Sequence, residues 1–544
     1  MKLFKYGLPF AALALLASCA NDKLDGPNPE PAPGPGEYAY LNIALGVASD
    51  TRAPEVADQN GAATEYAVRS GKLLLFSTDT DPKLVASVPL TLGTGDANDD
   101  TDISRTHEFE LKMEGVEKGA YKALIVLNEG NITLPQMGES YSAWSRKPQT
   151  STNGKGAIDA QNYITMINAL GWVGVPAADT DPSVFVDITA NDFYYKQADN
   201  GTQKPAKEFY VNRLVAKVTL GTERNGITIG DNYNVQGDEN TGDVLNISSW
   251  EVFQKNSEFY PVQLIDDGTN NWNDKLNITN WVNTILTGDM ARFTTSGATF
   301  TRVNWAVDPN YSGTASGKLT SQSSGDYTNT SHDAVEYANE NTFDILNMKK
   351  NQTTQLAFKG TYTIAGQSAP KSFVEFNGKK YAVTNANDVP AGTGYTLQQI
   401  ISDDSELTAA ATKLDVKTDL PQITFYKDGV VYYSVLVRHF DNPELGYDEG
   451  EVTGTKGAFR LPYEDGYVAS ADARDQNADK NYLGRYGMVR NNWYEIHLTS
   501  ATGPGSPTPP TPGNTPDDDP DPYYLNCKIN ILTWAKRTQN APLK

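Results

Sequence analysis

Residues 40–47 read Tyr40-Leu41-Asn42-Ile43-Ala44-Leu45-Gly46-Val47, with Leu41, Ile43, Leu45 and Val47 alternating with smaller or polar residues. A period of two sends alternate side chains to opposite faces of an extended chain, so this stretch is a β-strand with one buried face. Runs of the same kind, rich in β-branched and aromatic residues, recur at 72–76, 83–90, 107–111, 121–127, 185–188, 209–220 and 246–253. They resume at 355–364, 372–376, 380–383, 423–440 and 488–498. Clusters of Gly, Asn, Asp and Ser separate them, the punctuation of antiparallel sandwiches. A parallel α/β fold needs a helix between most strands, whereas helical periodicity is confined here to 159–170 and 395–414. Lys427-Asp428-Gly429 between apolar runs predicts a hairpin turn. The polar stretch 266–351 is too long for one plain loop and decorates the later part of the chain. The expected fold is all-β, and 544 residues are too many for one core. Two antiparallel β-sandwich domains are expected, at 53–255 and 256–500, with the boundary near Asn256.

The chain opens MKLFKYGLPFAALALLASC. Lys2 and Lys5 precede an apolar run that has the charge pattern and length of a secretory signal and is too short to span a bilayer. Leu16-Ala17-Ser18 ahead of Cys19 resembles the bacterial lipobox, where the thiol is acylated, as by palmitate, and the chain is cut just before it. Residues 1–18 are then the signal peptide and Cys19 the lipidation site. The plainer reading is an ordinary secretory signal with a cysteine there by chance. Residues 21–36, rich in Pro and Gly, read as a stalk. The only other cysteine is Cys527, so a chain with acylated Cys19 has no intramolecular disulfide and depends on burial for stability. The net charge of -22 argues against a nucleic-acid partner, which needs clustered Lys and Arg.

At the other end, residues 501–522 hold a run of prolines with Gly, Thr and Asp and read as an extended tether. Beyond it, in the 523–544 extension, Leu525, Cys527, Ile529 and Ile531 alternate with Asn526, Lys528, Asn530 and Leu532. A strand this apolar, past such a tether, is not stable alone. Its residues Tyr524-Leu525-Asn526 match Tyr40-Leu41-Asn42, and the apolar register of the two strands agrees throughout. Two strands with one register fit one groove.

Arg52 is the only basic residue between Lys23 and Arg69 and directly follows the first strand, in the polar stretch Ser49-Asp50-Thr51-Arg52-Ala53-Pro54-Glu55. Exposed polar loops of this kind are where proteases cut; the alternative is a solvated arginine at a strand end. Cutting there would release a lipidated propeptide, 19–52, together with the first strand. The apolar groove left behind would favour a replacement, and the C-terminal strand of a neighbouring molecule is suited to it. Repeated head to tail, such a contact does not close and builds a filament.

With these features in order, the chain resembles the Mfa-like major fimbrial subunits, the type V pilins of Bacteroidetes. The resemblance is carried by Cys19, Arg52, Val211-Asn212-Arg213-Leu214-Val215-Ala216-Lys217-Val218, Val489-Arg490-Asn491-Asn492-Trp493-Tyr494 and Ile531-Leu532-Thr533-Trp534. It implies transthyretin-like sandwiches, export as an outer-membrane lipoprotein, cleavage between Arg52 and Ala53 by an arginine-specific protease, and polymerisation into extracellular fimbriae by strand exchange. Leu41, Ile43, Leu45 and Val47 would be displaced, and Leu525, Cys527, Ile529 and Ile531 would replace them. The partners implied are identical or related pilin subunits, with a host or bacterial surface ligand for adhesion or biofilm formation. The family often has Pro before the last Trp, whereas Thr533 stands here. An alternative of another class is a permanently lipid-anchored surface lipoprotein that binds glycans, or a fimbrial tip adhesin.

The sequence carries no motif of an enzyme, a cofactor site or a metal centre. His107, His332, His439 and His497 are widely spaced, and no Gly-x-Ser-x-Gly elbow occurs. Tyr311 to Lys318 lacks the first glycine of a phosphate-binding loop. Asp96 to Asp102 offers oxygen ligands for calcium but lacks the glycine and distant glutamate of an EF-hand loop, so an exposed acidic loop is expected.

Overall fold

The computed structural model describes residues 38–47, 62–90, 101–102, 107–150, 156–158, 163–168, 184–196, 204–221, 226–236, 242–264, 295–296, 299–300, 308–309, 327–342, 351–376, 379–382, 423–437, 487–511 and 525–533. Cys19, Arg52, Ala53, Asp96 and the 395–414 stretch lie outside them.

Ahead of Leu214, the strands of the main sheet are β1 (Ala39–Val47), β2 (Gly71–Phe76), β3 (Leu84–Pro89), β4 (His107–Met113) and β5 (Tyr121–Leu127). They continue as β6 (Met166–Asn168), β7 (Val186–Ile188), β8 (Phe193–Tyr195) and β9 (Lys207–Arg213). All nine belong to one sheet, ordered β8-β1-β9-β6-β5-β2-β3, with β4 on β1 and β7 on β5. Every second residue points into one apolar core: Leu41, Ile43 and Leu45 meet Leu73, Leu75, Leu111, Ile125, Ile188, Phe193, Phe209 and Val211.

From Val215 onward the described strands form a sandwich. One layer is β12-β10-β15-β16, built from β10 (Val215–Leu220), β12 (Glu336–Asn339), β15 (Asn492–Ala501) and β16 (Leu525–Thr533). Against it lies a layer containing β11 (Val244–Phe253), β13 (Gln355–Thr363) and β14 (Val430–Leu436). Val218, Tyr494 and Ile496 from the first layer and Trp250, Phe358 and Val431 from the second close one core, as two facing sheets do.

The all-β expectation holds, with local exceptions. Residues 166–168, inside the stretch read as helical, are strand β6, paired with β9 and β5, so tertiary pairing overrides a short apolar period. The 209–220 run is two strands divided at Leu214, whose N–H bonds Thr165 O while β9 and β10 join different sheets. The chain therefore passes between the cores at Leu214, ahead of Asn256. Lys427-Asp428-Gly429 does turn tightly, with φ of 54° at Asp428 and 68° at Gly429. It does not make a hairpin: Ile423–Tyr426 pairs with Phe373–Phe376, and β14 pairs with β13. Turn chemistry sets the backbone angles but not the partner of each strand.

A buried polar knot holds the passage at Leu214. Glu65 stands in α1 (Ala63–Tyr66), 1% exposed. Its carboxylate takes Lys217 Nζ at 2.9 Å and Tyr337 O–H at 2.6 Å, and its carbonyl accepts Arg213 Nε–H at 2.7 Å. Burial lowers the Lys217 pKa, and Glu65 opposes that shift. Burial also raises the Tyr337 phenol, which keeps its proton and donates it. Removing one partner of a buried pair strands the other, so Glu65→Ala is expected to cost about 3–5 kcal/mol of stability in urea unfolding. A loss below about 0.5 kcal/mol, the range of ordinary surface substitutions, would show that the knot is not holding the fold.

Candidate functional site

Strand β1 is bonded on both edges. Along one it runs antiparallel to β4, from Ala39 opposite Met113 to Leu45 opposite His107. Along the other it pairs antiparallel with β8 over Ala39–Leu41, then parallel with β9 from Ile43 opposite Lys207 to Val47 opposite Val211. Leu41, Ile43 and Leu45 are each 0% exposed. Of Val47 only the backbone pairing is described.

Burying those three side chains stabilises the fold by about 1.5–3 kcal/mol each, so about 5–9 kcal/mol together as an upper estimate. Whole domains keep only about 5–15 kcal/mol. The strand's opposite face is also covered. Asn42 is 9% exposed; its Nδ2 donates to Lys204 O at 2.9 Å, and its Oδ1 lies 3.1 Å from the Tyr194 hydroxyl. Tyr194, itself 0% exposed, also contacts the Glu110 carboxylate, so its one hydrogen serves two acceptors. Burial, then Glu110, raises the Tyr194 pKa, which keeps that hydrogen in place. Lys196 Nζ closes the group, 2.6 Å from Glu110 and 4.2 Å from the centre of the Tyr40 ring.

The C-terminal strand is not an orphan in this chain. β16 pairs antiparallel with β15 and, among the described residues, is the outer strand of its layer. Leu525, Cys527, Ile529 and Ile531 pair in register with the buried Ala501, Leu498, Ile496 and Tyr494. The start of the proline-rich stretch is docked on the second core. Tyr432 and Ser506 exchange two backbone bonds of 2.8 Å, Tyr433 O–H bonds Gly503 O, and Tyr426 O–H bonds Gly505 O. Gly505 has φ +65°, and an added Cβ would stand 2.5 Å from Tyr432 O, so glycine is required there. Asn351 Nδ2 holds Thr511 O at 3.1 Å.

Sequence reasoning found β1 and β16 through their alternation. It missed the Asn42 group, whose signal was the shared Tyr-Leu-Asn, and the Glu65 knot, whose members lie far apart in the chain. His497 bonds Glu495 at 2.8 Å within β15, and among the described residues no group of His, Cys, Asp and Glu could hold a metal ion.

Residues 467–540 match the family model described as major fimbrial subunit protein type IV, fimbrillin, C-terminal. The β15–β16 ladder falls within that segment, which is fimbrillin-like. No curated protein matches the chain. Among solved structures, a candidate cell adhesion protein from Parabacteroides distasonis ATCC 8503 is similar at 10% identity and TM-score 0.39, over 93% of this chain and 99% of that one. Another, from Bacteroides eggerthii DSM 20697, is similar at 9% identity and TM-score 0.34, over 92% and 97%. At these scores neither fold nor function is transferred.

In the intact chain Ile43→Ala should cost about 2–5 kcal/mol in urea unfolding, as other core truncations do. A cost near zero would mean that the first core closes without β1.

Proposed function

We propose that this chain is a fimbrial subunit that polymerises when a protease removes β1 and the β16 strand of another copy takes its slot. The observation that carries the reading is the double-edged pairing of β1, a strand that stands on the removable side of Arg52 and shares its apolar register with β16. The fimbrillin-like C-terminal segment supports a surface fimbrial or adhesion subunit in general, a structural protein and not an enzyme.

The exchange has a favourable direction. Among the described residues, β16 is bonded in its own chain along one ladder, at the end of its sheet. In the slot of β1 it would be bonded along two and would cover a core otherwise open to water. Cleavage is what makes the slot available, because until then β1 fills it. The lipid on Cys19 would anchor the precursor at the outer membrane and leave with β1 when the chain is cut. The Glu65 knot, ten or more residues past Arg52, would keep the new N-terminal segment attached.

Arg52→Ala is expected to leave protease-treated subunits monomeric on a semi-denaturing gel, where the unsubstituted protein forms a ladder. Normal ladders would count heavily against the reading. N-terminal sequencing of surface polymers should begin at Ala53, whereas an acylated Cys19 there would favour the permanently anchored lipoprotein. Deleting residues 523–544 should leave folded monomers that accept a strand but donate none.

A further inference from the structure

We propose that Asn526 fixes the register of the exchanged strand by taking the place that Asn42 holds in the intact chain; this rests on the strand-exchange reading above. The apolar pattern of β16 excludes odd slips in the slot, since a slip of one turns the whole apolar set to the wrong face. It is blind to even slips, which keep every second residue inward. Something else has to select among them.

The only buried polar side chain on β1 is Asn42, and its surroundings are specific. The carbonyl of Lys204 requires a donor at 2.9 Å, and the Tyr194 hydroxyl stands 3.1 Å from an acceptor. A side-chain amide supplies both from one residue. Superposing the shared Tyr-Leu-Asn puts Asn526 at this position, with Leu525, Cys527, Ile529 and Ile531 where Leu41, Ile43, Leu45 and Val47 stand. Slipping by two in one direction presents Tyr524, a ring in the space of an amide. In the other direction it presents Lys528, which can donate to Lys204 O but leaves Tyr194 with Glu110 as its one remaining acceptor of the two and adds a second ammonium beside a Glu110 already paired with Lys196. Slipping by four brings in Asn530 but puts Thr533 in the place of Leu45 and moves Leu525 ahead of the paired stretch; the opposite slip brings in Pro522, which has no donor. One register satisfies both the core and the polar group.

The native Cys527 makes this measurable. It should stand where Ile43 does, whose partner on β4 is Phe109; Leu41 and Leu45 face Leu111 and His107. Subunits cut at Arg52 but otherwise complete would be mixed with likewise cut acceptors carrying Cys527→Ser and one of His107→Cys, Phe109→Cys or Leu111→Cys, then oxidised. The disulfide is expected with position 109, at least tenfold over 107 and 111, because cross-strand neighbours alone have the required Cα separation. Asn526→Leu donors should still polymerise while their cross-links spread to 107 and 111. Tyr194→Phe acceptors, which lose only a hydroxyl, should relax the register similarly, and the pair of changes no further than either alone. Equal cross-linking at the three positions in the unsubstituted donor, or an unchanged pattern with Asn526→Leu, would overturn the register proposal and leave strand exchange standing. Polymers that form with no cross-link at any of the three would overturn both.

Discussion

Two backbone ladders and three fully buried side chains tie β1 into the middle of the first sheet, and the organisation of the molecule follows from that constraint. A sheet strand with both edges occupied cannot be removed without opening two rows of unpaired peptide groups and a trough in the core. The slot therefore has to be filled at every stage by some strand of the right period. What is unusual is where the filling strand comes from. It belongs to the stretch ahead of Arg52, so the proposed cut there would separate it covalently from everything it stabilises.

The opposite end obeys a related constraint. An exposed apolar strand is an aggregation hazard, and β16 avoids it by pairing with β15 in its own chain. On the proposed reading, such pairing along the one described ladder is weaker than pairing along two and leaves the strand available to a better site. Pinning of residues 503–511 on Tyr426, Tyr432, Tyr433 and Asn351 leaves residues 512–524 between the docked chain and β16.

Most of the fold was legible because period-two alternation is a local property. β1, β5 and β15 could be read from a few residues each, and so could the likeness between β1 and β16. The division of 209–220 at Leu214 could not, because the run is apolar on both sides of the break and only the Arg213, Asn491 and Glu65 bonds show where it bends. The same applies to Lys427-Asp428-Gly429, where the turn was evident and the destination of its strands was not. Asn42 was visible as a polar residue in an apolar strand, but its role needed Tyr194 and Lys204, more than 150 residues away. Polar groups that act by pairing are legible only when the pair is adjacent.

The central claim is that the slot between β4 and β9 holds a strand of the same chain before assembly and of another copy afterwards. Determining the structure of the assembled fibre tests this most directly. The account predicts residues 525–533 of a neighbouring subunit between the strands at 107–113 and 207–213, with residues 39–47 absent. Density for residues 39–47 still in that slot, within a fibre of intact length, would contradict it.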